Sequence, residues 1–152
     1  MRPLSRRAAL AALGASSAAL ALVGWSDSVS ATVDEAAAEI AKFTGGKTAT
    51  AGRIAIELPE VAENGNTVPL RITVESPMTA ADYISDVLVV ADGNPRPGVA
   101  AFKFTPMAGK ADISTRMRLA ATQNIIVVAK TGKGELFTAR RQVTVTVGGC
   151  VG

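Results

Sequence analysis

From residue 54 onward, apolar and polar positions alternate. Ile54, Ile56 and Leu58 interleave with Arg53, Ala55 and Glu57, and Leu70, Ile72 and Val74 with Arg71, Thr73 and Glu75. Ile113, Thr115, Met117 and Leu119 oppose Ser114, Arg116 and Arg118, Phe102 and Phe104 flank Lys103, and Val143–Val147 alternates Val with Thr. A period of two puts successive side chains on opposite faces, so each run predicts a strand with one buried and one wet face. Val87–Ala91 and Ile125–Ala129 are apolar throughout. Such runs predict central strands, or strands whose outer face meets a second surface.

Turn-forming clusters separate these runs: Asn64-Gly65-Asn66, Ser76-Pro77, Asp92-Gly93-Asn94-Pro95, Pro97-Gly98, Ala108-Gly109 and Gly132-Lys133-Gly134. Asn64-Gly65 between two strands is a hairpin signal. Before the strands the period changes. Ala36, Ile40 and Phe43 fall at i, i+4 and i+7, one face of a helix. Thr32-Val33-Asp34-Glu35 can supply a capping box, and Gly45-Gly46 a stop. A short helix over 33–43 and about seven strands predict an all-β, immunoglobulin-like antiparallel β-sandwich, as one domain over 32–147.

The first residues follow another logic. Ser5-Arg6-Arg7-Ala8-Ala9-Leu10 leads into an uncharged run from Ala8 to Val23 that contains Gly14, Ser16 and Ser17, and Val29-Ser30-Ala31 follows. A basic start, a weakly apolar centre and a small-x-small site make a removable export signal over 1–31. Paired arginines ahead of a modest apolar run resemble a twin-arginine signal, which places the mature protein in the periplasm. The run is short and too rich in Ala, Gly and Ser for a stable membrane anchor.

That reading changes the charge. The whole chain has a net charge of +3. Residues 32–152 keep 13 basic and 12 acidic residues, a net of +1. The basic character therefore belongs partly to the signal and argues for no nucleic-acid partner.

Composition then narrows the chemistry. There are no histidines and only one cysteine. The commonest general base and transition-metal ligand are missing, as are the Ser-His and Cys-His pairs. One cysteine closes no internal disulfide and builds no multi-thiolate zinc site. We expect no catalytic residues, no metal and no cofactor, and a protein that is not an enzyme. Gly45-Gly46-Lys47-Thr48 lacks the first glycine of a phosphate-binding loop, because position 40 is Ile, and it follows a helix.

Cys150 is the remaining candidate. It ends the run Gly148-Gly149-Cys150 and precedes Val151 and Gly152. Glycines on both sides, at a terminus, predict a slim, flexible arm over 148–152 rather than a packed cysteine. Three residues beyond Val147 span about 10 Å when extended, which lets the sulfur enter a cleft on another protein. Prenylation would need three residues after the cysteine. Arg140 and Arg141 lie too far along the last strand to count as activators of the thiol. A carrier tolerates an unactivated thiol because its partner enzymes supply the activation. A small thiol redox enzyme does not, which disfavours that rival. The alternative is a structural or interaction sandwich whose tail cysteine forms an intermolecular disulfide.

The tail, together with several internal segments, resembles the SoxY family, the sulfur-carrier subunit of the bacterial thiosulfate-oxidising system. Those segments are Ala62–Pro69, Asn94-Pro95 with Val99–Phe102, Ser114–Ala120, and Thr122-Gln123. The resemblance implies a periplasmic carrier with substrate held covalently on Cys150. It implies a heterodimer with a smaller β-sandwich subunit (SoxZ-like). It also implies working partners: a c-type cytochrome that conjugates thiosulfate oxidatively, a manganese hydrolase that releases sulfate, and in some systems a molybdenum sulfur dehydrogenase. The family tail is usually Gly-Gly-Cys-Gly-Gly. Here Val151 replaces the first glycine after the cysteine, and its branched side chain makes the tip bulkier and stiffer.

Overall fold

A computed structural model describes residues 27–150. One helix, α1 (Asp27–Thr44), precedes nine strands: β1 (Thr50–Ala51), β2 (Ile54–Glu57), β3 (Val61–Ala62), β4 (Val68–Val74), β5 (Ile84–Ala91), β6 (Gly98–Lys103), β7 (Ala111–Met117), β8 (Gln123–Thr131) and β9 (Leu136–Val145). Two sheets form. One has the order β1-β9-β8-β5-β6, with β3 also paired to β9, and the other is β2-β4-β7.

The seven longer strands are those the alternating and the continuously apolar runs predict, and their order is that of an immunoglobulin-like sandwich. The fourth strand, β6, pairs with β5 rather than with β7. The two short strands depart from the all-antiparallel expectation. β1 and β3 both run parallel to β9. Each is two residues long, too short to leave a period in the sequence. The last strand also differs: it begins at Leu136 and ends at Val145, and Val147 lies beyond it, exposed. Its first half mixes half-buried and exposed positions, so no clean alternation announces it.

The core lies between the sheets. Val68, Leu70, Ile72 and Val74 of β4 point inward, with Ile113 and Met117 of β7, and meet Val87, Val89, Ile125, Val127 and Val143 of the other sheet. Burying a side chain of this size stabilises the fold by about 1.5–3 kcal/mol relative to exposure. Aromatics are scarce, so β-branched residues fill the space, as suits a pleated surface.

The two continuously apolar strands owe their pattern to both reasons foreseen. β5 and β8 are central strands paired with each other. On the outer side Leu88, Val90 and Ile126 meet Ala36, Ile40 and Phe43 of α1. The predicted helical stripe therefore packs, and this face is covered by the chain's own helix. The helix starts at Asp27 rather than at residue 33, so Thr32 lies within it instead of capping it. It stops as predicted: Gly45 and Gly46 have φ of 65° and 79°, and the Gly46 N–H donates to Ala41 O. The twin-arginine motif and the apolar run of the expected signal lie outside the described residues. Among the described residues no helix is long and apolar enough to cross a membrane.

Arg71 and Asp112 form a two-point pair on the open face of the β2-β4-β7 sheet. Arg71 donates from Nε (3.3 Å) and from a terminal nitrogen (2.8 Å). These hydrogen bonds hold the Asp112 carboxyl below its ordinary pKa. The native state thus binds this proton less readily than the unfolded chain does. The contribution is present above the usual carboxylate pKa and is lost as pH falls through the depressed one. Both groups are solvent-screened, so the effect is small. Thermal unfolding of wild type and Asp112→Asn between pH 7 and about pH 2 checks this. The difference in Tm should shrink toward acid pH and also in molar salt.

Candidate functional site

Cys150 is a free, exposed cysteine at one end of the sandwich. The arm that carries it begins where β9 ends, and the chain does not simply leave the surface there. It passes between two segments, the Asn64-Gly65-Asn66 turn and the stretch Leu119-Ala120 that follows β7.

The turn is not a hairpin. It joins β3, paired to β9, to β4 in the opposite sheet. An Asn66 N–H bond to Asn64 Oδ1 (2.9 Å) shapes it. Gly65 is buried and lies at the centre of a backbone ladder. Its N–H donates to Val147 O (2.7 Å), and its carbonyl accepts from the Leu119 N–H (2.8 Å). Leu119 O in turn accepts from the Gly149 N–H (2.8 Å). The Cys150 N–H donates to Asn66 Oδ1 (3.1 Å).

These contacts change the meaning of the glycines. Gly65, Gly148 and Gly149 are not among the residues with positive φ. What the positions require is the absence of a Cβ. One added at Gly148 would strike the Ala120 carbonyl oxygen. At Gly149 it would lie 2.6 Å from Gly65 O and 2.9 Å from Asn66 N. At Gly65 it would strike Leu119 O and lie 2.6 Å from Gly149 N. Each obstacle is backbone, which cannot swing aside. The glycines read from sequence as a source of freedom thus serve close approach, and residues 148–150 are docked. Val151 and Gly152 lie outside the described residues.

A buried polar network holds the receiving segment in place. Asn94 donates from Nδ2 to Arg118 O (2.9 Å) and accepts at Oδ1 from the Ala120 N–H (3.0 Å). The Gln123 amide donates to Asn94 Oδ1 (2.9 Å) and to Ala121 O (3.0 Å), and accepts from the Gly93 N–H (2.8 Å). Thr122 Oγ1 accepts from the Val145 N–H, tying the same loop to β9 (2.9 Å). Buried amides satisfied at both ends fix a loop more firmly than apolar contact does, because an unpaired one is costly.

Arg96, Arg116 and Arg118 line an open cleft of about 310 Å³ beside Asn94. No ion pair to these three is present among the described residues. Arg140 and Arg141 are engaged elsewhere: Arg140 binds Asp92 (3.2 Å), and Arg141 donates to Ile56 O (3.2 Å). No group of three or more metal-ligating side chains occurs among the described residues.

Sequence reasoning located Cys150 and its arm but not Gly65, Asn66, Leu119 and Ala120. A signal existed. Of the internal segments that carry the family resemblance, 62–69, 94–95, 114–120 and 122–123 supply residues that meet at the base of the arm, while 99–102 lies in the edge strand β6.

Comparison with known proteins follows from this geometry. Residues 40–150 match the family model described as sulfur oxidation protein SoxY. The sulfur carrier protein SoxY from Chlorobium limicola f thiosulfatophilum is 33% identical, with a TM-score of 0.62, over 75% of this chain and 98% of that one. A superoxide reductase (neelaredoxin) from Ignicoccus hospitalis is 20% identical with a TM-score of 0.55, over 62% of this chain and 80% of its own. That likeness shows the sandwich fold alone. No curated protein matches the chain. With the family match spanning the sandwich and running to the terminal cysteine, this chain belongs to the SoxY family of sulfur oxidation proteins, the sulfur carriers.

Proposed function

We propose that the protein is a periplasmic carrier that holds thiosulfate-derived sulfur covalently on Cys150 and presents it to partner enzymes. The observation that carries this reading is the placement of the chain's one cysteine, exposed at the tip of a glycine segment that ends the sandwich. A thiol placed there is sterically open to large partners, whereas a thiol in a strand is not.

In loading, the Cys150 sulfur and the outer sulfur of thiosulfate form an S–S bond. The thiol proton is released, and two electrons leave one at a time, with a c-type cytochrome as the class of one-electron oxidant that would accept them. The product is a cysteine S-thiosulfonate. In the next step water attacks the terminal sulfonate, breaks its bond to the middle sulfur, and leaves sulfate, a proton and a cysteine persulfide. A manganese hydrolase suits this step, since a metal-bound water is a nucleophile at neutral pH. A molybdenum sulfur dehydrogenase is the partner for oxidising the remaining sulfur. The protein itself supplies the thiol, its position and its surroundings. Arg96, Arg116 and Arg118 share one cleft beside Asn94, and their local charge favours approach of a dianion there. A smaller SoxZ-like sandwich completes the carrier as a heterodimer.

Intact-protein mass spectrometry of the protein purified from its native host grown on thiosulfate tests the reading. A sulfonate or sulfane adduct, lost on reduction, supports it. A bare thiol, or only a disulfide homodimer, in cells that are oxidising thiosulfate would favour the structural alternative. The same spectrum reads the N-terminus, where loss of residues 1–31 or a near neighbour is the expected result.

A further inference from the structure

We infer that Gly148–Cys150 and the Gly65 turn form a latch, so that the arm has a docked state on its own sandwich and leaves it to reach a partner; the need to leave rests on the carrier reading. Four interactions close the latch, and its two halves come from distant parts of the chain. Gly65 bridges Val147 and Leu119 through its own N–H and carbonyl, and Gly149 returns to Leu119. Asn66 then takes the last amide, that of Cys150. Three glycines allow these backbones to touch, and a side chain on any one of them would meet backbone atoms. A free arm would have no use for this fit. A swinging tether requires only glycine before the cysteine and imposes nothing on residue 65.

The latch is asymmetric in strength. Its inner bonds, between Gly65, Val147 and Leu119, close around a buried glycine and support the end of the sandwich. The outer two are made by the amides of half-buried Gly149 and exposed Cys150, beyond the last strand. Opening at the outer bonds therefore exchanges protein hydrogen bonds for solvent ones at small net cost, without disturbing the core. The docked arm holds the Cys150 backbone against Asn66, and the released arm reaches about 10 Å. A partner that binds only the released form draws the equilibrium toward it, in proportion to its preference.

Asn66 is the positioning residue for the cysteine, since it holds the Cys150 backbone without touching the sulfur chemistry. A substitution at Gly149 provides the cleanest test, because it lies outside every strand. In the reduced, ¹⁵N-labelled protein, heteronuclear NOE and amide exchange are read at Gly148, Gly149 and Cys150. In the wild type, the Gly149 NOE should equal that of β9. Its amide should exchange about tenfold or more slowly than in unstructured chain. Gly149→Ala should drop the NOE to free-tail values and abolish the protection, with β8 amides unchanged. Asn66→Ala should loosen Cys150 while Gly149 stays protected. Free-tail values in the wild type, or an arm that stays rigid in Gly149→Ala, would overturn the latch. The measurement uses unloaded protein, so its outcome is independent of whether Cys150 carries sulfur.

Discussion

On the proposed carrier function, replacing Cys150 by serine should abolish thiosulfate-dependent oxygen uptake when the variant is the only copy in its native host. The expected loss is complete, because no other sulfur in the chain can take the role: it has one cysteine, and the thioethers of its four methionines form no disulfide. Serine keeps the size and the exposure of the side chain, but its oxygen cannot join thiosulfate by a two-electron oxidation at a haem. Stability should not follow activity. Cys150 is exposed, and its only described hydrogen bond is made by its backbone N–H, so the change in unfolding free energy should stay within about 0.5 kcal/mol. Uptake rates and urea unfolding of the two proteins, measured side by side, separate the effects. Undiminished uptake in the variant would remove Cys150 as the point of attachment.

Leu119→Ala has the second large effect, and on the other axis. Leu119 is fully buried, among the largest such side chains in the core. Its backbone also joins Gly65 to Gly149. Truncation removes apolar contact and leaves a cavity that the two sheets cannot close, which costs about 2–5 kcal/mol. The midpoint of denaturant unfolding should fall accordingly, with little change in slope. The cavity lies under the receiving side of the latch, so the Gly149 amide should lose protection as well. A variant of the exposed neighbour, Arg118→Ala, should leave stability nearly unchanged. A Leu119→Ala cost below about 1 kcal/mol would mean that the arm's end of the sandwich is not part of the cooperative core.

The relation between these two residues explains much about what can be read before a structure is known. Alternation is a local property. Each of Val68–Val74 and Ala111–Met117 states by itself which side is buried, and the structure agrees position by position. The helical stripe of Ala36, Ile40 and Phe43 is equally local, and only its target, Leu88, Val90 and Ile126, had to come from the fold. Boundaries were less legible. The helix extends back to Asp27, and β9 ends two residues before Val147, because terminal turns and strand ends depend on neighbours that lie far along the chain. The parallel pairs of β1 and β3 with β9 left no trace, since two residues carry no period.

By itself, then, the sequence determined the class of fold and singled out the chain's one thiol as the candidate point of attachment. Those follow from composition and from periods of two and 3.6, which act over a few residues. Only the tertiary structure decided what the glycines are for. In isolation Gly148-Gly149 reads as freedom, and Asn64-Gly65-Asn66 reads as a hairpin. The fold brings them together from distant parts of the chain with Leu119 between them, at distances no Cβ permits. Glycine serves conformational freedom and close approach alike, and the residue type does not say which. The distinction lies in φ and in the neighbouring backbone, quantities that exist only once both sheets are packed.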